Sequence, residues 1–277
     1  MVSKDCSHIT GYVDPKWPRP DGNGSACIII FGYVPSLTLG ILGVLLFALA
    51  LGMHLRLLFR YQTWYFSTMI VGTVMEIIGY IFRILASKIN PYSVSYFVGQ
   101  YFCIVVAPVF YSAAIYSILS VMINWVGQKH SQLPPRLLLW IFITCDVVAT
   151  IIQVLGAGLV GSRYSNGGDP NVPNKILLAG LAFQTIAFTV FIFCYSTFFY
   201  SSRKIFPTFL RSFAAATLVA AILVYIRTII RLAETAQGLL HFLSTHEAIF
   251  GSLEFAPIII AVYIFIFFHP GMYKSGL

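Results

Sequence analysis

The sequence predicts an all-α, polytopic membrane protein with seven transmembrane helices, its N-terminus outside and its C-terminus in the cytoplasm. Three observations carry that prediction. The chain of 277 residues is 58% hydrophobic and 9% charged, with a mean hydropathy of +0.85, where a soluble domain carries about a quarter charged residues. Continuous apolar runs recur along it, each long enough for a helical span of roughly 20 residues. Lysine and arginine concentrate in alternate connections, as membrane topology requires. A secreted disulfide scaffold, a disordered tail and a cytosolic enzyme are excluded. Seven spans use nearly the whole length, so no separate catalytic domain fits, and the net charge of +8 reads as topology, not nucleic-acid affinity.

Residues 1–32 read as an extracellular tail. Lys4, Lys16 and Arg19 alternate there with Asp5, Asp14 and Asp21 among three prolines, and the short apolar core of a cleaved signal peptide is missing. Asn23-Gly24-Ser25 is an N-glycosylation sequon, usable if the tail is exported. Cys103, Cys145 and Cys194 lie in apolar runs where a thiol packs as a small hydrophobe, which leaves Cys6 and Cys27 as the one plausible disulfide pair.

The apolar segments predict helices near 33–56, 64–86, 94–125, 137–160, 176–201, 209–233 and 247–268. A β-barrel would alternate over about ten residues per strand and is rejected. Pro108 and Pro257 stand in Ala-Pro pairs inside the third and seventh helices, where each frees a carbonyl and kinks its helix. The connection from Gly161 to Lys175, rich in Gly, Asn and Pro, reads as the longest loop, either a plain surface loop or a cap over a cavity. Residues 269–277 read as a short cytoplasmic tail. A resemblance between 81–86 and 229–233, each followed by an Ala-Pro pair, admits a parallel repeat of helices one to three and five to seven.

Orientation follows from counting basic residues. Arg56, Arg60, Lys129, Arg136, Arg203, Lys204, Arg211 and Lys274 lie on one side; outside the tail, Lys88, Arg163 and Lys175 lie on the other. Eight against three puts the first side in the cytoplasm. Trp64, Trp125 and Trp140 then fall at the cytoplasmic interface as an aromatic belt.

Five of the nine acids fall within or beside predicted spans: Glu76, Asp146, Glu234, Glu247 and Glu254. Arg83, Arg227 and Arg231 join them. A central charge costs roughly 2.5–3.5 kcal/mol on insertion scales, so the set must pair and face a polar interior. Glu76, Gly79, Tyr80 and Arg83 recur at helical spacing on one side of the second helix, as do Arg227, Arg231 and Glu234 on the sixth. At about 1.5 Å per residue, the three arginines with Glu234 and Glu247 belong to the outer half, and Glu76, Asp146 and Glu254 nearer the middle. Three central acids exceed the central cations, so at least one carries a proton or awaits a cationic ligand. The opposing reading is structural: pairs that hold helices two, six and seven together, with Gly79 allowing close approach. Gln100, Gln153 and Gln184 add polar groups to helices three, four and five, as interhelical hydrogen bonds or as parts of a site.

Other functions are weakened. A retinal Schiff base needs a lysine in the last helix, and Lys274 lies beyond it. The third helix ends Val121-Met122-Ile123-Asn124-Trp125 without the acid-arginine pair of G-protein-coupled receptors, and no Gly-rich phosphate loop occurs. His241, His246 and Glu247 match no zinc spacing, and no Ser-His or Asp-Asp constellation suits a hydrolase. Neither enzyme activity nor a cofactor or metal is expected; the expected partners are membrane lipids and an amphipathic small molecule.

The pattern resembles a known family, the fungal lipid-translocating exporters of the RTA-like type. The likeness rests on Glu76-Ile77-Ile78-Gly79-Tyr80 with Arg83, on Gln100 followed by Ala107-Pro108 and Tyr116, on Asp146 with Gln153 and Gly156, and on Arg227, Arg231, Glu234, Gly238 and Glu247 through His269-Pro270-Gly271. It departs at Glu254, where the family pattern has an aspartate with a tyrosine nearby. The resemblance implies a plasma-membrane protein linked to stress or drug resistance that exports or flips amphipathic molecules, sphingoid long-chain bases foremost, with porphyrin or haem handling in relatives. Glu76, Asp146 and Glu254 are then expected to take an ammonium headgroup, with Tyr80, Gln100 and Gln153 beside them, and Arg83, Arg227 and Arg231 to form an outer gate with Glu234 and Glu247. The competing expectation is a seven-helix lipid sensor or receptor.

Overall fold

The computed structural model describes residues 12–17, 25, 26, 28–127, 131, 133–166, 171–238 and 245–274. Asn23, Cys6, Cys27 and His241 lie outside them. Six long helices come first: α1 (Leu37–Tyr61), α2 (Ser67–Lys88), α3 (Val94–Val126), α4 (Pro135–Asn166), α5 (Asn171–Ser202) and α6 (Thr208–Gln237). The seventh span, α7, opens as a helical turn at Glu247–Ile249, widens to a π-helix over Phe250–Phe255 and continues as α-helix over Ala256–Phe267; a short α8 (Pro270–Lys274) follows. Seven spans are long and apolar enough to cross a bilayer. Among the described residues the strand content is one isolated bridge, Ser25 to Ser93. The chain is an integral, multi-pass membrane protein, and Leu45, Trp140, Leu155, Ile186 and Phe193, all exposed, are its lipid-facing side chains.

Each helix packs chiefly on its neighbours in sequence, and α6 also packs on α7. The third helix is the axis: 67% of its most apolar stretch is buried, against 28% for α1 and α4. Its core is aromatic, with Tyr116 edge-on to Phe191 at 4.4 Å between centroids. We call the end where α2, α4 and α6 finish the upper face, and the opposite end the lower face.

Three boundaries differ from the sequence reading, for local reasons. The first helix starts four residues later than expected because Ser36 caps it, accepting from the Leu39 N–H at 3.2 Å; it runs on to Tyr61, where Gln62 adopts a left-handed conformation (φ 51°). The expected loop 161–175 is largely helix, since α4 continues to Asn166 and α5 begins at Asn171. Pro173 there occupies the first turn of α5, where an N–H has no helical partner to lose. The expected tail is helical over Pro270–Lys274: Tyr273 of α8 stacks on Phe213 at 4.6 Å, and the buried His269 lies against Tyr61 and Phe66.

Helices α4 and α5 are held close by Gly156, where an added Cβ would lie 2.7 Å from the backbone nitrogen of Leu177. Backbone cannot swing aside. Gly156→Ala is therefore expected to cost about 1–3 kcal/mol, read as a lower melting temperature in detergent micelles; an unchanged melting temperature would contradict the close packing.

Candidate functional site

The end of the N-terminal segment is part of the site. Ile28, Ile29 and Ile30 are buried, the Ala26 N–H donates to the Tyr92 carbonyl at 2.8 Å, and the segment closes over the upper ends of α2, α3, α6 and α7. Beneath it lies a cavity of about 60 Å³ walled by Ile30, Phe31 and Tyr33 above, and by Arg83, Gln100, Tyr101, Arg231, Glu234 and Glu254 around its sides. At about 10–15 Å³ of such space for each water, the cavity has room for a few waters or a small polar headgroup.

Two ion-pair systems frame it. Arg83, fully buried, donates from Nη2 to Glu247 Oε1 at 2.5 Å and to the Tyr33 hydroxyl at 3.0 Å; its guanidinium sits over the Phe250 ring, 4.4 Å from the centroid. The same Glu247 oxygen accepts the Ser36 N–H at 2.8 Å. One carboxylate thus ties the start of α1, the end of α2 and the start of α7. Burial pushes the Tyr33 phenol up, with the Arg83 charge opposing, which keeps it a neutral acceptor for the guanidinium. In the second system Arg231 Nη1 reaches Glu234 at 3.0 Å and Glu254 at 2.8 Å, and its guanidinium lies 4.3 Å from the Tyr101 ring centroid. The 3.6-residue spacing of Arg227, Arg231 and Glu234 brings all three to the interior, and the π-helical stretch of α7 carries Glu254 against them.

Arg227 is placed differently. Pro108 has no N–H, so the Ile104 carbonyl four residues earlier loses its helical donor. Arg227 Nη2 supplies one at 2.5 Å. The freed carbonyl and the buried guanidinium satisfy each other, and α3 stays continuous through Pro108. The charged neighbours of buried Glu76 are Arg227 and Glu254, which joins this contact to the cluster.

The upper cluster therefore contains four carboxylates, Glu76, Glu234, Glu247 and Glu254, against three guanidiniums, Arg83, Arg227 and Arg231. One carboxylate therefore has no protein cation of its own and either carries a proton or pairs with a ligand cation. Two acceptors at the cavity, Gln100 Oε1 and Glu254 Oε2, are buried without a hydrogen-bond partner in the protein, as are the donors Arg83 Nε and Nη1 and Arg231 Nε, so water or a ligand is needed to satisfy them.

Other sequence candidates lie elsewhere. Tyr80 is a core residue, packed on Phe47 and Phe255 at 5.7 and 5.5 Å between centroids. Gln153 donates to Gln184 at 2.8 Å, a link between α4 and α5. Asp146 accepts from the Tyr116 hydroxyl at 2.8 Å between α3 and α4, apart from Glu76 and Glu254, and its Oδ1 is unpartnered. The structure thus brings Glu76 and Glu254 together and leaves Asp146 out. Glu254 differs from the expected depth as well: it shares a level with Arg231, the expected gate. Pro257 is the second residue of the α-helical part that follows the π-helical stretch. No metal-ligating group forms among the described residues. Sequence reasoning missed Tyr33, Tyr101 and Phe250; Tyr101 carried a signal in its adjacency to Gln100, whereas Tyr33 lies before the first helix and carried none.

Asp146→Asn keeps an oxygen for Tyr116 and is expected to change stability by less than about 1 kcal/mol, whereas Asp146→Leu strands the buried hydroxyl and costs about 1–3 kcal/mol. Thermal unfolding of both variants reads the difference; equal costs would show that the hydrogen bond is unimportant.

The family model described as RTA1 like protein matches residues 69–276. The chain belongs to the RTA1-like family. Its curated relatives include the sphingoid long-chain base transporter RSB1 of Saccharomyces cerevisiae (strain Lalvin EC1118), 29% identical over 94% of this chain and 78% of the relative. Protein RTM1 of the same yeast is 29% identical over 73% of this chain and 66% of the relative. No solved structure matches the chain. The matched region holds every charged side chain of the upper cluster, while Tyr33 and Ser36, which complete the Arg83 and Glu247 contacts, precede it.

Proposed function

We propose that this protein moves single-chain amphipathic lipids with an ammonium headgroup, of the sphingoid long-chain base class, across the plasma membrane. The observation that carries the reading is the charge count of the upper cluster, four carboxylates served by three guanidiniums beside a headgroup-sized cavity. An ammonium group with neighbouring hydroxyls supplies the missing cation, and donors for Glu254 Oε2 and Gln100 Oε1. The name of the yeast relative points to the same substrate class.

With the N-terminus outside, the cavity faces the outer leaflet. Arg231 holds Glu234 and Glu254; an arriving ammonium takes over Glu254 while Arg231 stays on Glu234 and the Tyr101 face. Glu76, two turns along α2 from Arg83, is the next carboxylate toward the lower face. Resistance to added base, and a part in stress or drug tolerance, follow from export.

Purified protein in liposomes is expected to move a labelled long-chain base between leaflets unaided, and Glu254→Gln to slow that movement about tenfold or more, the loss of one buried charge-assisted bond of roughly 1.5–3 kcal/mol. Binding without movement would favour the sensor. Wild-type rates in Glu76→Gln and Glu254→Gln variants would show that the carboxylates do not hold the headgroup.

A further inference from the structure

A lipid that places its headgroup in the upper cavity must put its alkyl chain somewhere apolar, and the cavity is walled by Arg83, Gln100, Arg231, Glu234 and Glu254. Beside it runs a second depression, smaller at about 10 Å³ and almost wholly apolar, walled by Phe97, Val98 and Tyr101 of α3, Ala157 and Val160 of α4 and Leu177 of α5. The two share a wall. Phe97 and Tyr101 line both, stand one helical turn apart and face each other at 5.9 Å between ring centroids. Tyr101 looks both ways: its ring covers the Arg231 guanidinium on the cavity side and packs with Leu177 and Leu181 on the other.

We infer that the crease between α3, α4 and α5 is the binding site for the hydrocarbon chain of a single-chain lipid, reached from the headgroup cavity past the Phe97–Tyr101 wall. The inference rests on the proposed function, which puts the headgroup next door. Its support is independent of charge. The lining is apolar; Ala157 leaves room where a larger side chain would close the crease; and α4, one of the two least enclosed helices, presents Leu155 and Leu159 to lipid on the adjoining surface. An alkyl chain leaving the cavity here remains in an apolar medium throughout, so the polar end alone needs a protein-lined path. Aromatic rings make a suitable partition because each turns on two torsions at small entropic cost.

The reconstituted wild-type protein is photolabelled with a long-chain base carrying a diazirine at the far end of its alkyl chain. Adducts are expected on the crease, on 97–101, 157–160 or Leu177, and to be competed by unlabelled base. Competed adducts confined to other helices would overturn the inference and leave the headgroup reading standing. Absence of competed labelling anywhere would overturn both. Ala157→Phe is the complementary variant: by filling the crease it is expected to lower transport of a long-chain base about tenfold, while an octyl analogue moves at nearly the wild-type rate. Val148→Phe, on the exposed side of the same helix, is expected to change neither. Equal loss for both chain lengths in Ala157→Phe would contradict an alkyl site.

Discussion

Arg231→Met is expected to be the most destabilising single substitution in the bundle, costing about 3–5 kcal/mol, because it leaves buried carboxylates without their cation. Glu234 and Glu254 converge on one nitrogen of this side chain, and neither has another salt bridge among the described residues. The guanidinium also lies against Tyr101, so its removal opens the wall between cavity and crease. Rescue is the sharper measurement. Adding Glu254→Gln removes the stranded charge and is expected to restore most of the lost stability, judged by melting temperature and by the monodisperse fraction in detergent. A double variant no more stable than Arg231→Met alone would mean that the guanidinium acts by packing, not by charge.

The same cluster shows what could be read from the chain and what could not. Helical periodicity placed Glu76, Tyr80 and Arg83 on one interior face, and the same arithmetic placed Arg227, Arg231 and Glu234; all are removed from lipid in the fold. That succeeds because a charge facing lipid costs more than local propensity can offset. Depth was legible along α2, where a fixed rise per residue separates Glu76 from Arg83, but not across helices, since Glu254 lies level with Arg231. Partner choice was not. Asp146 and Glu254 looked equivalent, but one is met by a tyrosine and the other by an arginine, and the difference depends on which helices adjoin and how they are rotated. The upper lid was hidden for another reason. Ile28, Ile29 and Ile30 form too short an apolar run to count as an element, and their burial arises from tertiary packing over the upper ends of the helices. Around Pro173, glycines, asparagines and a proline imitated a loop although each is tolerated at a helix end.

Pro108 and Arg227 should be energetically coupled, although they lie on different helices and carry no opposite charge. Proline leaves the Ile104 carbonyl without a donor inside a buried helix, and Arg227 supplies it. Arg227→Met alone is expected to cost about 2–4 kcal/mol, the lost charge-assisted bond together with the stranded carbonyl. In a Pro108→Ala background the alanine N–H can serve that carbonyl, so the same substitution should cost less by about 1–2 kcal/mol, within the range found for contacting residues. The charge beside Glu76 is lost in both backgrounds and cancels in the cycle. A coupling near zero would show that the two sites act separately. The consequence for transport follows from position: Ile104 lines the cavity, so Pro108 and Arg227 together set where that wall stands. If Pro108→Ala redraws α3 toward an ideal helix, headgroup affinity should fall even though no charged group has been removed. Binding of the base to Pro108→Ala in micelles measures this directly, and an unchanged affinity would confine the proline to a packing role.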